Sequence, residues 1–415
     1  MTGGRRFFAR GDLVVFTLAF GFRILHVQFV EGADPWADAP IIDEAAYDRA
    51  AQRIASGEWI GKEVFFQDPL YPYALGALYS LLGRSFLLVR VLQAALDAAS
   101  AATIGALARR LGGRTAGAVS GALAALYAPF LYFAGQLDKA TFAVAASAGF
   151  LAAWTRAREG DSRGRWFGAG LALGAACLLR GNFLAFGPVV PALLLLERRR
   201  GALDPALSFA TGLLTLLLPV AARNAVVGGE FVLTTAQAGT NFYVGNCAGN
   251  PLGVSISLPF VRTVPEHEAD DWKREAERRS GRALTRGEVS RFWAGEALAG
   301  MAESPAQALR RLARKGAIAL GDYEVPDNHS FEYGRTFSPA LRSPITFAVA
   351  IALGGAALLA QARAGPFRPT LLFLLVYLGT LVATVTSDRI RAPLAVPLLV
   401  ASGTFFTWLA QATRR

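Results

Sequence analysis

The chain has 415 residues, 53% hydrophobic and only 18% charged, with a mean hydropathy of +0.36. Soluble domains carry about 25% charged residues, and the apolar residues here arrive in runs of about 17–25, the length that crosses a bilayer. A soluble globular domain is therefore excluded, and a β-barrel with alternation over segments of about ten residues is not the pattern seen.

The net charge is +11, and 38 of the 42 basic residues are Arg. They fall in short clusters between apolar runs, where they set topology. No basic patch joins a nucleic-acid reading module, so nucleic acid is not an expected partner. Cys177 and Cys247 have no metal-ligand spacing and imply no disulfide framework.

Ten candidate spans follow along the chain: 12–30, 85–108, 115–133, 140–155, 166–179, 182–196, 205–222, 343–361, 369–387 and 390–411. The first carries Arg23 and lacks a small-residue cleavage site, so it reads as a retained helix rather than a signal peptide. With a cytoplasmic N-terminus, the cytoplasmic pieces are "GGRRFFAR", "RRLGGR", "RAREGDSRGR", "ERRRG", "QARAGPFR" and "TRR", which hold 17 Arg and no Lys. The positive-inside rule demands this asymmetry. Both termini are expected in the cytoplasm. Residues 31–84, the turn 135–139, the turn at Arg180, the segment 223–342 and the turn 387–391 are expected on the outer face. The chain divides into an N-terminal transmembrane module (1–222, with its first outer loop at 31–84), an outer segment (223–342) and C-terminal transmembrane helices (343–415).

The first outer loop opens with "IIDEAAYDRAAQRIASGEWI". Tyr47, Ala50, Ala51 and Ile54 share one face of an amphipathic helix. Asp43 and Glu44 stand at its head, where carboxylates also serve as caps. At a lipid–water boundary a carboxylate is partly desolvated and more basic. It can then act as a general base.

"FFQDPLYPYALGALYSLLG" predicts a helix too short to span, with Tyr71, Tyr73 and Tyr79 at headgroup level. In "FAGQLDKATF", Asp138 falls at an outer helix end, on the face that holds Asp43. Two such carboxylates could bind a divalent metal or divide acid and base roles; in isolation, Asp138 is also an ordinary cap.

Within 223–342, "EFVLTTAQAGTNFYVGN" has a strand-and-turn composition. Thr285 and Glu288 have capping-box spacing. Ser304 and Pro305 start a further helix, whose Arg310, Arg311, Arg314 and Lys315 face either headgroups or solvent. Arg180, Arg389 and Arg391 fall at outer helix ends. Arg pairs bidentately with phosphate oxygens, so a phosphate-bearing substrate at the membrane surface would fit them, as would snorkelling to headgroups. His26, His267 and His329 share no motif.

The ordered set "DEAAYDRAAQRIASGEW", "DPLYPYALGALYSLLG", "LLVRVLQAALDAASAATIGALARRLGG", "GLALGAACLLRGNFLAFGPVVPALLL", "RNAVVGGEFVLTTAQAGTNFYVGN" and "DRIRAPLAVPLLV" resembles the membrane glycosyltransferases of the GT-C fold. It is most similar to the bacterial branch related to the dolichyl-phosphate-mannose protein mannosyltransferases (glycosyltransferase family 39) and the aminoarabinose lipid A transferases. The resemblance implies an all-α polytopic bundle of about ten transmembrane helices, with amphipathic helices in the first outer loop and a small mixed α/β outer segment.

It also implies a polyprenyl-phosphate-linked sugar as donor and a hydroxyl of a lipid, glycan or protein as acceptor. The reaction would lie on the outer face of the bacterial inner membrane. Asp43, with Glu44 beside it, maps onto the family's catalytic carboxylate, and Asp138 onto its second acidic position. Arg180 and either Arg389 or Arg391 map onto the arginines that receive the phosphate. A phosphate leaving group balanced by Arg requires no metal, though Asp43 and Asp138 could hold one.

Three positions depart from the pattern. Gln67 and Asp68 precede Pro69 where many relatives carry Lys or His, Gly181 replaces a Pro after Arg180, and the acidic residue after the third span is an Asp, Asp138 followed by Lys139, where a Glu is common. A transporter of lipid-linked glycans is the alternative; it would need charges through the bilayer centre, whereas the candidate residues here gather at one face.

Overall fold

The computed structural model describes residues 7–412 except 161, 198–200, 263 and 363. Arg5, Arg6, Arg198, Arg199, Arg200, Arg363, Arg414 and Arg415 of the predicted cytoplasmic clusters lie outside the described residues. The chain is a helical bundle. Its N-terminal module contains α1 (Arg10–Ala33), α2 (Ile42–Ala55), α3 (Leu70–Leu82), α4 (Phe86–Leu126), α5 (Ala128–Gly135), α6 (Ala140–Gly160), α7 (Arg163–Leu179), a 3-10 turn (Gly181–Ala185), α8 (Phe186–Glu197) and α9 (Leu203–Gly228). The outer segment holds α10 (Ala238–Asn246), α11 (Pro265–Ser280), α12 (Arg286–Glu303), α13 (Pro305–Leu320) and α14 (Phe331–Phe337). The last part has α15 (Phe347–Ala350), a π-helical turn (Ile351–Gly355), α16 (Ala356–Ala360), α17 (Arg368–Ala383), α18 (Asp388–Arg391) and α19 (Ala395–Ala412).

Among the described residues, five stretches are long and apolar enough to cross a membrane by length and composition: 10–33, 86–126, 203–228, 365–383 and 388–409. The second and third predicted spans are joined in α4 through Gly113, whose φ of +86° is open to glycine and turns the chain without ending the hydrogen-bonded run. The next break comes at Tyr127, which is extended.

Ion pairs join several of the pieces expected on the cytoplasmic side. Arg109 pairs with Asp12, Arg110 with Glu159, and Glu197 with both Arg158 and Arg368. The ends of α1, α6, α8 and α17 and the Arg109–Arg110 stretch before the Gly113 turn of α4 are thereby tied together. α7 runs from there to Arg180, and residues 181–197 return to Glu197.

Small residues let the helices meet closely, as membrane bundles require. A Cβ on Gly170 would stand 2.1 Å from the Phe209 carbonyl oxygen, and one on Gly212 would stand 2.1 Å from that of Phe167. This fixes α7 against α9. Inside the bundle Arg23 is fully buried and bonds Asp97 at 2.5 Å. It also donates to the carbonyls of Ala124 and Ala125 at 3.1 and 2.6 Å, satisfying acceptors that the end of α4 leaves free.

Two local expectations change. Of the stretch 230–246 with strand-and-turn composition, 238–246 folds instead as α10 and 230–237 is irregular. No partner strand lies beside it, so its backbone bonds close within the helix. Only an isolated bridge, Val254 with Thr386, has β pairing among the described residues. The tyrosines of α3 do not all reach the headgroups. Tyr71 donates to Gln93 at 2.8 Å and Tyr79 to Asp48 at 2.9 Å, both buried; Tyr73 alone is partly exposed. The capping box of Thr285 and Glu288 is formed. On α13, Arg311 and Lys315 turn inward onto Asn246, whereas Arg310 and Arg314 are exposed.

The Arg23–Asp97 pair yields a stability prediction. Arg23→Ala, which strands a buried carboxylate, should destabilise the protein by about 3–5 kcal/mol. The double change Arg23→Met/Asp97→Leu should recover most of that loss. Thermal unfolding in detergent reads both.

Candidate active site

Asp43 and Glu44 lie in the first turn of α2, yet neither caps it, since no side chain bonds the free amides there. The preceding Ile42 has φ +48°, a left-handed conformation that a β-branched residue avoids. Such strain costs roughly 1–3 kcal/mol and gathers at functional sites. Both carboxylates point to other segments. Asp43 Oδ2 lies 2.5 Å from Arg389 Nη1, and its Oδ1 accepts from Gln67 at 2.9 Å. Glu44 accepts from the Leu137 amide at 3.0 Å and lies 3.1 Å from His329 Nε2.

Asp138 is both a cap and a member of the cluster. Its Oδ1 accepts from the Ala140 amide at 2.6 Å, at the head of α6. Its Oδ2 lies 3.0 Å from Arg389 Nη1. Asp327, from the outer segment, binds Arg389 Nε at 2.8 Å. One guanidinium thus gathers three carboxylates from three distant parts of the chain.

Beside this cluster lies a cavity of about 500 Å³, lined by residues of the first outer loop, the Arg180 turn, the outer segment and the turn before α18. Its charged lining among the described residues is Asp43, Asp68, Glu268 and Asp327 against Lys139, Arg180, Arg262 and Arg389. Lys139 pairs with Asp68 at 2.5 Å, and Arg262 with Asp271 at 2.8 Å. Arg180 and Glu268 have no ion-pair partner among the described residues. Arg180 terminates α7, is 5% exposed, and keeps Nε and Nη2 without hydrogen-bond partners.

Arg391 lies elsewhere. It pairs with Glu324 at 2.6 Å, bonds the Gly321 carbonyl, and does not line the cavity. Asp138, Glu44 and His329 line a small adjoining cleft. Among the described residues, no group of three or more His, Cys, Asp or Glu side chains is arranged to hold a metal; Asp43 and Asp138 share Arg389 instead.

The electrostatics separate the acidic groups. Burial pushes the Asp43 carboxyl up, but Arg389, the Gln67 amide and Lys139 outweigh it and hold it below its ordinary value. Glu268 is pushed up to about 7 by burial and by the charge of Asp43. Sequence reasoning passed over Gln67 as a partner of Asp43, and over Glu268, Asp327 and His329. The cluster of turn and polar residues in "VPDNHS" was the one available signal for the last two.

Residues 67–222 match the family model described as dolichyl-phosphate-mannose-protein mannosyltransferase. Among solved structures, the oligosaccharyltransferase of Archaeoglobus fulgidus in its apo form superposes with a TM-score of 0.53 at 15% identity, over 97% of this chain and 52% of that one. The chain spans about half the length of that enzyme. ArnT from Cupriavidus metallidurans, bound to undecaprenyl phosphate, gives 0.44 at 18% identity, over 98% of this chain and 80% of that one. A search of curated proteins found no match. The chain has the GT-C fold of membrane glycosyltransferases.

The Glu44–His329 contact carries a pH prediction. Burial lowers the His329 pKa, but the hydrogen bond and charge of Glu44 raise it further, leaving it above 6.5. A raised histidine stabilises the fold fully below its unfolded value and loses that contribution as pH rises through the folded value. The melting temperature should therefore fall from about pH 6.5 upward in the wild type, relative to His329→Gln. Equal pH dependence of the two proteins would refute the pairing.

Proposed function

We propose that this protein transfers a sugar from a polyprenyl-phosphate donor to a hydroxyl of a lipid, glycan or protein acceptor. The observation that carries the reading is Arg180, a buried guanidinium with free nitrogens in a cavity it shares with Asp43. A buried cation without a partner is costly, and a phosphate oxygen would complete it through charge-assisted hydrogen bonds. The match of 67–222 to a mannosyltransferase family supports the same reading. So does the polyprenyl phosphate bound by ArnT.

In this reaction the acceptor oxygen attacks the anomeric carbon from the face opposite the phosphate. The bond from that carbon to the phosphate oxygen breaks, and its electrons pass to the phosphate. Arg180 stabilises the charge that develops there. Asp43 is the general base and takes the hydroxyl proton as the new bond forms. A single displacement inverts the anomeric centre. Arg389 is committed to its three carboxylates and keeps Asp43 ionised and oriented, with Asp138 as a fellow anchor. Glu44 braces the α5–α6 turn through the Leu137 amide. Arg391 serves the fold through Glu324.

We further assign the cavity to the outer face of the bacterial inner membrane. The arginine-rich helix ends at the opposite pole support this, since basic loops stay in the cytoplasm. Both termini then lie on the cytoplasmic side.

Two variants in proteoliposomes test the proposal, with release of free polyprenyl phosphate from a panel of labelled donors as the readout. Asp43→Asn should lower release by roughly 10²–10⁴-fold, the usual share of a general base. Arg180→Ala should weaken binding of polyprenyl phosphate by roughly 10–100-fold, as expected for loss of hydrogen bonds to a charged group. Wild-type binding and turnover in both variants would overturn the reading.

A further inference from the structure

Among the described residues, every other carboxylate lining the cavity is held by a cation, Asp43 and Asp327 by Arg389 and Asp68 by Lys139, but Glu268 is not. It stands on α11, whose first turn is tied to α2 by the ion pair of Arg49 with Glu266. One turn further on, Trp272 is 2% exposed and packs edge-on against Trp293 at 4.8 Å. The buried Trp272 anchors the helix, and Glu268 lines the cavity from α11 while Asp43 lines it from α2.

We propose that Glu268 is a second catalytic carboxylate, the group on which the acceptor's proton comes to rest; this builds on the transferase reading above. Asp43 is held ionised by Arg389 and Gln67, so a proton it takes in the transition state is released at once. Glu268 has the opposite surroundings. Burial comes first and Asp43 second among the causes that raise it to about 7. Asp327 acts in the same sense, and Arg389 and the Trp272 indole act against it. Arg262, in the loop before α11, is spent on Asp271, and the neighbouring His267 is exposed. Two acidic groups with values driven apart in one cavity mark a division of proton-handling roles.

The step balances. The acceptor O–H gives its proton through Asp43 to the Glu268 carboxylate, which becomes a carboxylic acid. The new glycosidic bond forms, and polyprenyl phosphate leaves with the electrons of the broken bond. Glu268 returns the proton to the aqueous side before the next turnover. No oxidant, reductant or metal enters this balance.

The test compares wild type, Asp43→Asn, Glu268→Gln and Glu268→Asp in proteoliposomes. For wild type, kcat/KM should rise with pH and level off above about 7, because the ionised carboxylate is the active form. Glu268→Gln should lose roughly 10²-fold or more in kcat and the acid limb with it. Its KM for the donor and its binding of polyprenyl phosphate should stay at the wild-type level, which separates catalysis from folding. Glu268→Asp should restore the acid limb in part. Infrared titration of wild type against Glu268→Gln should show one carboxyl band titrating near neutrality. Release by wild type, abolished in Asp43→Asn but normal in Glu268→Gln with the acid limb in place, would overturn this proposal alone. Absence of release from every donor by the wild type would overturn the transferase reading and this proposal together.

Discussion

The fold of the active pole depends on Arg389. A guanidinium removed from water must find hydrogen-bonding partners or destabilise the structure by several kcal/mol. Here it finds Asp43 from the first outer loop, Asp138 from the turn between α5 and α6, and Asp327 from the outer segment. Glu44 accepts from the Leu137 amide and pairs with His329 beside this cluster, and Tyr47 and Leu137 share a buried apolar cluster, so the charges and the packing join the same three segments. The turn around Arg389 is itself tied down, since the Asp388 amide donates to the Val325 carbonyl at 2.9 Å. The cavity lies beside the parts that this cation joins.

Much of this architecture is legible in the sequence because membranes impose a simple grammar. Apolar runs and the Arg clusters between them locate the long helices, five of which are long and apolar enough to cross among the described residues. The expected grouping of Asp43, Asp138, Arg180 and Arg389 matches their placement around one cavity and its adjoining cleft. Geometry finer than parity is not legible. Arg389 and Arg391 are two residues apart, so on a helical turn they face about 200° apart. One can look into the cavity while the other looks away, and spacing alone does not say which. The outer segment is harder still. Its contacts come from loops and short helices whose partners lie far away in sequence, so Asp327, His329 and Glu268 leave no periodic trace. The strand expected over 230–246 fails for a related reason, because β propensity expresses a fit to a neighbouring sheet and none is there.

Two of the positions that depart from the pattern of the resemblance meet other cavity residues in space. Asp68, just before Pro69, is bonded by Lys139 at 2.5 Å, so the chain itself balances this pair of charges. Gln67 donates to Asp43. Both residues that precede Pro69 thus hold partners in the wall of the cavity.

The distribution of buried charge also separates scaffold from site. Arg23 with Asp97, Arg90 with Glu31 and Arg391 with Glu324 are paired charges whose needs the protein itself meets. Such pairs specify packing and have nothing left over for a ligand. Among the described residues that line the cavity, one cation and one carboxylate have no ion-pair partner, Arg180 and Glu268. Arg180 is buried with two nitrogens unbonded, which disfavours the folded state. Glu268 is half-buried, and burial and the charge of Asp43 disfavour its ionised form. In the proposed transfer a phosphate would complete the first and a proton the second, in the same step and from opposite sides of the same sugar.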